Sequence, residues 1–136
     1  MKKTLFLFLM LLGVVFTDSA MAQNTCTIHL FSKGSPSKIY VNDQLVTGLN
    51  KDEALEYTLP ANGRAVVSVR FNNDASAEVT VDTEKDSDAY IIAYVRAISN
   101  GSTISSSLIG LTKIVDIEKW NKKSKNFKDL VKLTAK

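Results

Sequence analysis

Residues 64–71 read Arg-Ala-Val-Val-Ser-Val-Arg-Phe, and this stretch decides the fold class. Its apolar side chains at positions 65, 67, 69 and 71 would lie on one face of a strand, and its polar side chains at 64, 68 and 70 on the other. This period of two predicts a β-strand whose apolar face enters a core and whose polar face meets water.

The same alternation recurs on both sides of this stretch, and turn residues interrupt it at short intervals. Short strands separated by regular turns are typical of an all-β sandwich or barrel. Upstream runs cover residues 26–31, 38–41, 44–46 and 54–59, and downstream runs cover 76–82, 89–98 and 108–117.

Two details of this pattern constrain how the strands are arranged. Asn42 and Asp43 separate two runs and tolerate the backbone conformations of a tight hairpin. Residues 89–98 are apolar on both faces, which predicts a central strand covered on both sides. We therefore predict one all-β domain over residues 23–117, a seven- to eight-stranded antiparallel sandwich followed by a C-terminal helical segment.

The first 22 residues have the layout of a secretory signal peptide. Two lysines open the chain, residues 5–16 are almost entirely apolar, and residues 20–22 (Ala-Met-Ala) place small side chains before Gln23. The apolar run is about a dozen residues long, short of the roughly 20 that a bilayer requires. We expect cleavage before Gln23 and export by a bacterium, so that the mature protein is periplasmic or secreted.

Residues 118–136 form a basic amphipathic segment. Their apolar side chains have the spacing of one helical stripe, and lysines such as Lys122 and Lys123 would occupy the opposite face. Such a segment can make peripheral contact with an anionic lipid surface or enter a partner's groove. The interpretation that the pattern favours is an ordinary helix that caps the sheet, with Trp120 and Phe127 in the core and the lysines in solvent. The stripe consists of Trp120, Phe127, Leu130, Val131 and Leu133.

The chain has one cysteine, Cys26, and one histidine, His29. Cys26 has no partner for an internal disulfide, which leaves three interpretations: a lipid-modified N-terminus, an intermolecular disulfide, or a small buried apolar residue. Three positions separate the two residues, so a strand would point them to opposite faces, and a Cys–His catalytic pair or a four-ligand zinc site is not expected.

Motifs for other chemistry are absent from the sequence. It has no phosphate-cradling glycine loop, serine-nucleophile elbow or dinucleotide fingerprint. Residues 82–88 resemble the start of a calcium loop, but Ser87 stands where the sharp turn needs glycine and Ala93 where a bidentate glutamate belongs. We therefore predict a solvated hairpin loop there, no metal, no cofactor and no enzymatic activity.

A weak interaction patch is predicted from side chains that alternate outward. Tyr40, Tyr90, Tyr94 and Arg96 are of the types that build binding surfaces. The formal net charge of +3 identifies no partner, and nucleic acid is disfavoured because no aromatic stacking platform accompanies the lysines.

Three segments resemble a known kind of domain: TIHLFSKGSPSKIYVNDQLVTGL (27–49), EYTLPANGRAVVSVRF (56–71) and AEVTVDTEKDSDAYIIAYV (77–95). Their order is similar to that of PEGA-like domains and related uncharacterised, lipoprotein-like β-domains of bacterial envelopes. The resemblance covers residues 26–98, although Asp43 replaces the usual hairpin glycine and two extra residues separate Pro60 from Gly63. It implies a prealbumin-like or immunoglobulin-like sandwich and no catalytic residues.

We therefore expect an exported, non-enzymatic envelope protein that interacts with another protein or a surface. Tyr90, Tyr94 and Arg96 are its favoured patch, and the lysine-rich end is a secondary one. Two alternatives stay open: an exported inhibitor or immunity-type protein acting through residues 99–107, and a small-molecule carrier with a pocket between the sheets.

Overall fold

Two β-sheets enclose the core of the protein. The computed structural model describes residues 24–72, 74–99 and 106–136, which contain nine strands and one helix. The elements are β1 (Thr25–Lys33), β2 (Ser37–Val41), β3 (Gln44–Leu49), β4 (Glu53–Pro60), β5 (Arg64–Phe71), β6 (Ser76–Asp82), β7 (Asp88–Ser99), β8 (Ser106–Val115), α1 (Ile117–Ser124) and β9 (Asp129–Thr134).

The strand order is β8-β7-β1-β4-β9 in a five-stranded sheet and β3-β2-β5-β6 in a four-stranded sheet. The predicted all-β sandwich with a C-terminal helix is confirmed. Two details differ from the expected seven- to eight-stranded antiparallel sandwich: the described residues contain nine strands, and β1 pairs in parallel with β7 and β4 in parallel with β9. In both pairs the second strand is reached by a long connection and not by a hairpin, so no tight turn imposes an antiparallel direction.

Alternation along the strands supplies the main core, as predicted. Val67 and Val69 of β5 and Leu30 of β1 are fully buried, and they belong to one cluster to which both sheets contribute residues. The central position of β7 is confirmed too, since it lies between β8 and β1 with Ile91 in the main core.

The hairpins form where the turn residues predict them. Asn42 and Asp43 have φ values of 49° and 65° between β2 and β3, which is the left-handed backbone that a two-residue hairpin requires. β5 and β6 also pair as an antiparallel hairpin.

The C-terminal segment differs from the prediction of one helical stripe. The helix covers only Ile117–Ser124, with the Asp116 carboxylate accepting a hydrogen bond from the Lys119 amide at 2.8 Å as its N-cap. Residues 129–134 form strand β9, in which Val131 packs against the main core while Leu130 stays exposed. Helical spacing and strand alternation are hard to distinguish in so short an apolar run, and pairing with β4 decides in favour of the strand.

Two predictions concern residues that lie outside the described part of the chain. The signal peptide over residues 1–22 is one of them. The other is the loop over residues 99–107, of which 100–105 are outside, with β7 ending at Ser99 and β8 beginning at Ser106.

Candidate functional site

The face of the five-stranded sheet that points away from the main core carries the candidate site. Phe31 of β1 and Ile92 of β7 point outward there, and helix α1 lies over them with Trp120, which is only 7% exposed. Phe127 packs against this second cluster after the helix ends, with its ring centroid 4.5 Å from that of Phe31. The helix is therefore held on the sheet by Trp120, its one buried side chain.

His29 of β1 lies at one end of this cluster, between the neighbouring strands β4 and β7. Its Nε2 donates to Asp88 Oδ1 at 2.9 Å, and its Nδ1 lies 3.5 Å from Glu56 Oε1. The imidazole stacks on Tyr90 and meets the edge of Trp120 at a centroid distance of 5.8 Å. Because both ring nitrogens face carboxylates, His29 acts as a link between strands.

Tyr90 belongs to the same arrangement and is half-buried beneath the helix. Burial raises the pKa of its phenol above the ordinary value, and the negative charges of Asp88 and Glu56 raise that pKa further. The side chain is therefore a neutral structural partner of His29 and Trp120 at physiological pH.

A groove of about 290 Å³ opens beside the helix on the same face. Its floor is apolar and aromatic, and its rim carries five lysines. We call it the lysine groove; it is lined by Lys33, Ile92, Tyr94, Lys113, Val115, Lys119, Lys122 and Lys123.

Three different elements bring these lysines together. Residues three and four apart are neighbours on one side of a helix, so Lys119, Lys122 and Lys123 share one flank of α1. Lys33 is the last residue of β1. Lys113 of β8 lies opposite Ile92 of β7 in the antiparallel register.

The charge of the lysine groove is not compensated. No carboxylate lines it. Within residues 24–72, 74–99 and 106–136, the lysines that form ion pairs lie elsewhere, in the pairs Lys85–Asp82 and Lys132–Glu56. Lys122 and Lys123 are in the last turn of α1, where positive charge favours the helix, but like charges at helical spacing also repel one another. The arrangement is suited to holding an anion.

A partly exposed apolar strip continues from the groove along β7 and β8. The cross-strand pairs Tyr94–Leu111 and Arg96–Ile109 lie on this outer face, and Ile98 follows at 41% exposure. We call Tyr94, Ile98, Ile109 and Leu111 the apolar strip. A shallow cavity of about 370 Å³ lies at its far end beside Arg96.

The structure divides the predicted interaction residues among four places. Tyr94, Lys122 and Lys123 meet in the lysine groove, and Arg96 borders the apolar strip. Tyr90 is instead covered by α1. Tyr40 is on the four-stranded sheet, under the guanidinium of Arg70 at 4.2 Å from its ring centroid.

Sequence reasoning missed two lysines of the groove, Lys33 and Lys113, whereas Lys119 belongs to the basic segment predicted over residues 118–136. A signal for one of them is present in the chain, because Lys113 interrupts an apolar run. In the structure it shares the outer face of β8 with Leu111 and Val115. A charge on an otherwise apolar strand face marks a point where that face reaches solvent.

Cys26 is a core residue of this structure. Its side chain is fully buried, on the face of β1 opposite His29, as the alternation predicts. Burial raises the pKa of the Cys26 thiol above its ordinary value, and the charges of Asp88 and Asp86 raise it further. In this conformation the thiol is protonated and shielded from reagents.

The acidic stretch at residues 82–88 joins β6 to β7, and the prediction of a hairpin loop is wrong there, because β6 and β7 belong to different sheets and the stretch crosses between them. Asp82 Oδ1 accepts hydrogen bonds from the amides of Glu84 at 3.2 Å and Lys85 at 3.3 Å, so its carboxylate organises the turn. Across the described ranges no three His, Cys, Asp or Glu side chains converge as metal ligands.

No protein-family model and no curated protein matches the chain. No helix in the described part of the chain has the length and apolar character needed to cross a membrane.

Proposed function

We propose that this protein is an exported, non-enzymatic binding module of the bacterial cell envelope, and that the outer face of its five-stranded sheet is the binding surface. The observation that carries the proposal is the convergence of five lysines around an apolar floor with no carboxylate in the lining. Side chains gathered from β1, β8 and α1 into one uncompensated site are suited to recognition of a negatively charged partner.

A helix that merely caps the sheet accounts for only part of this face. Capping explains why Trp120 and Phe127 are turned toward the strands. It does not explain why Lys33 and Lys113, which belong to strands, point into the same groove as the lysines of the helix. We therefore assign the groove a role in binding.

Export is the second part of the proposal and rests on the first 22 residues. Cleavage before Gln23 would leave every described strand intact, since β1 begins at Thr25. The full burial of Cys26 supports an unmodified thiol that serves the core. A lipid on Cys26 would require this end of β1 to leave the sandwich.

The remaining hypotheses stay predictions. The PEGA-like resemblance concerns turns and hairpins and is compatible with a binding role. A carrier would have to use the opening of about 310 Å³ at one end of the sandwich, to which Leu59 of one sheet and Ala65 of the other contribute. The middle of the interior is filled by side chains such as Leu30, Val67 and Ile91, which are fully buried. The inhibitor hypothesis depends on residues 99–107, which are described only at their ends.

The proposal is tested in the native cell. Mass spectrometry of the protein recovered from the envelope or medium should give an N-terminus at Gln23 with no added lipid mass. A photo-crosslinking amino acid placed at Tyr94 should label a partner, while the same probe at Tyr40 on the other sheet serves as the control. Retention of the protein in the cytoplasm, or equal labelling from both positions, would overturn the proposal.

A further inference from the structure

We propose that the lysine groove and the apolar strip dock this protein onto the surface of an anionic phospholipid membrane. The inference rests on the proposed function and names its partner. Lipid phosphates would be held by the five lysines, and the side chains of the apolar strip would face the boundary between headgroups and acyl chains.

Charge complementarity is the first argument. The groove combines five ammonium groups, each with three donors on a flexible stem, and no acidic side chain lines it. Lysines of this kind adapt to several phosphate oxygens and carry their positive charge over a wide area. A membrane surface rich in anionic lipids attracts basic residues that lie close to it.

The position of the groove on the sheet is the second argument. Tyr94 of β7 is paired on one side with Leu111 of β8 and on the other with Lys33 of β1, so the backbone of the floor is already engaged within the sheet. Within the floor, an extended acidic peptide would therefore find a strand edge to pair with only along β8, the outer strand of the sheet. Lipid phosphates and acyl chains do not need a strand edge, because their contacts are with side chains.

The apolar strip is the third argument. It continues directly from the groove through Ile109 to Ile98, and Arg96 borders it. A surface that combines one exposed and two half-buried aliphatic side chains with neighbouring positive charge matches the interface of a bilayer, where apolar groups insert shallowly and basic groups meet phosphates.

The test uses the exported protein and vesicles of two compositions. We expect binding to vesicles of phosphatidylglycerol and phosphatidylethanolamine, weakening as salt is raised, and no measurable binding to phosphatidylcholine alone. The triple variant Lys119→Gln, Lys122→Gln, Lys123→Gln should lose about fivefold in affinity per lysine, or roughly 100-fold in all.

A second triple variant with the same net charge provides the matched control. Lys38→Gln, Lys51→Gln and Lys128→Gln remove three exposed lysines that do not line the groove, and this variant should bind within a fewfold of the wild type. Likewise Ile98→Asp should weaken binding, whereas Leu45→Asp, at an exposed site on the other sheet, should not. Equal melting temperatures across the set would show that each variant is folded.

Three results would overturn the inference: no binding to the anionic vesicles at low salt, equal binding to phosphatidylcholine, or equal losses in the two triple variants. If these occur while the probe at Tyr94 still labels a protein in the envelope, the lipid assignment fails and the proposed binding role of the face stands. If the probe at Tyr94 labels nothing beyond the Tyr40 control, both fail.

Discussion

His29 stacks on Tyr90, with their ring centroids 4.6 Å apart and their planes inclined by 20°. The two residues are direct partners in the parallel pairing of β1 with β7. Trp120 of helix α1 packs against both rings, at 5.8 Å from His29 and 5.5 Å from Tyr90. The stack therefore fixes the helix on the sheet, and the helix in turn places three of the five lysines.

Trp120→Ala should destabilise the protein by about 3 to 4 kcal/mol, because it removes a buried indole and leaves a cavity between helix and sheet. Urea denaturation followed by circular dichroism measures the change. Ile117→Ala on the same helix is the control, since Ile117 is 54% exposed and its loss should cost little. Similar midpoints for the two variants would mean that α1 is not docked through Trp120.

Val67→Asp should destabilise the sandwich by several kcal/mol, since it places a charge in the main core where no partner can neutralise it. Thermal unfolding gives the comparison. Thr80→Asp on the neighbouring strand β6 is exposed and should melt close to the wild type. A wild-type melting temperature for Val67→Asp would contradict the core position of β5.

Gly110→Ala should destabilise the protein by about 1 to 3 kcal/mol, because a methyl group there overpacks the approach between the two sheets. Its Cβ would lie 2.8 Å from the carbonyl carbon and oxygen of Ser76, which are backbone atoms of β6. Gly48→Ala is the matched control, where the added Cβ meets only the Ser37 carbonyl oxygen at 3.9 Å. Denaturant titration of both variants should separate them; equal stability would mean that β8 does not approach β6 so closely.

Stability should fall as the pH rises above about 9, because the pKa of Cys26 is raised in the folded protein. Below the ordinary thiol pKa of 9.0 both states keep the proton and the free energy of unfolding is unaffected. Above it the unfolded chain releases the proton first, so stability decreases until the pH has passed the folded-state pKa. Tyr90, whose pKa is raised from 10.0, should add to the decline at still higher pH.

Urea unfolding of the wild type and Cys26→Ala between pH 7 and pH 10 measures this effect. The variant should be less stable at pH 7, because it lacks the buried sulfur, and should lose less stability between pH 8 and pH 10. Parallel pH profiles for the two proteins would contradict the burial of the thiol.

The strands and hairpins are largely predictable because their signals are local. Alternation from Arg64 to Phe71 identifies the buried face of β5, and Asn42-Asp43 identifies a hairpin, since each depends on the conformations of a few consecutive residues. Strand β9 was predicted as part of a helical stripe because Leu130, Val131 and Leu133 fit both periods. Its identity depends on β4, a partner about 75 residues earlier in the chain.

The candidate site was only partly predictable. Tyr94, Lys122 and Lys123 were identified by their chemistry, but Tyr90 was expected outside and lies under the helix. Outward alternation establishes which face of a strand a residue occupies, and it does not establish what later covers that face. Lys33 is 89 residues from Lys122 in the chain, so no local pattern could place the two in one groove.

The amino-acid sequence by itself determined the pleated elements, the buried side of each strand, the opposite placement of Cys26 and His29, and the change of pattern near residue 117. These follow from backbone preferences and side-chain periodicity over a few residues. Only the tertiary structure decided the parallel pairings of β1 with β7 and β4 with β9. It also decided the position of α1 on the His29–Tyr90 stack and the convergence of five lysines in one groove. Those features depend on contacts between segments far apart in the chain. Such contacts stabilise the fold only when the whole sandwich packs together.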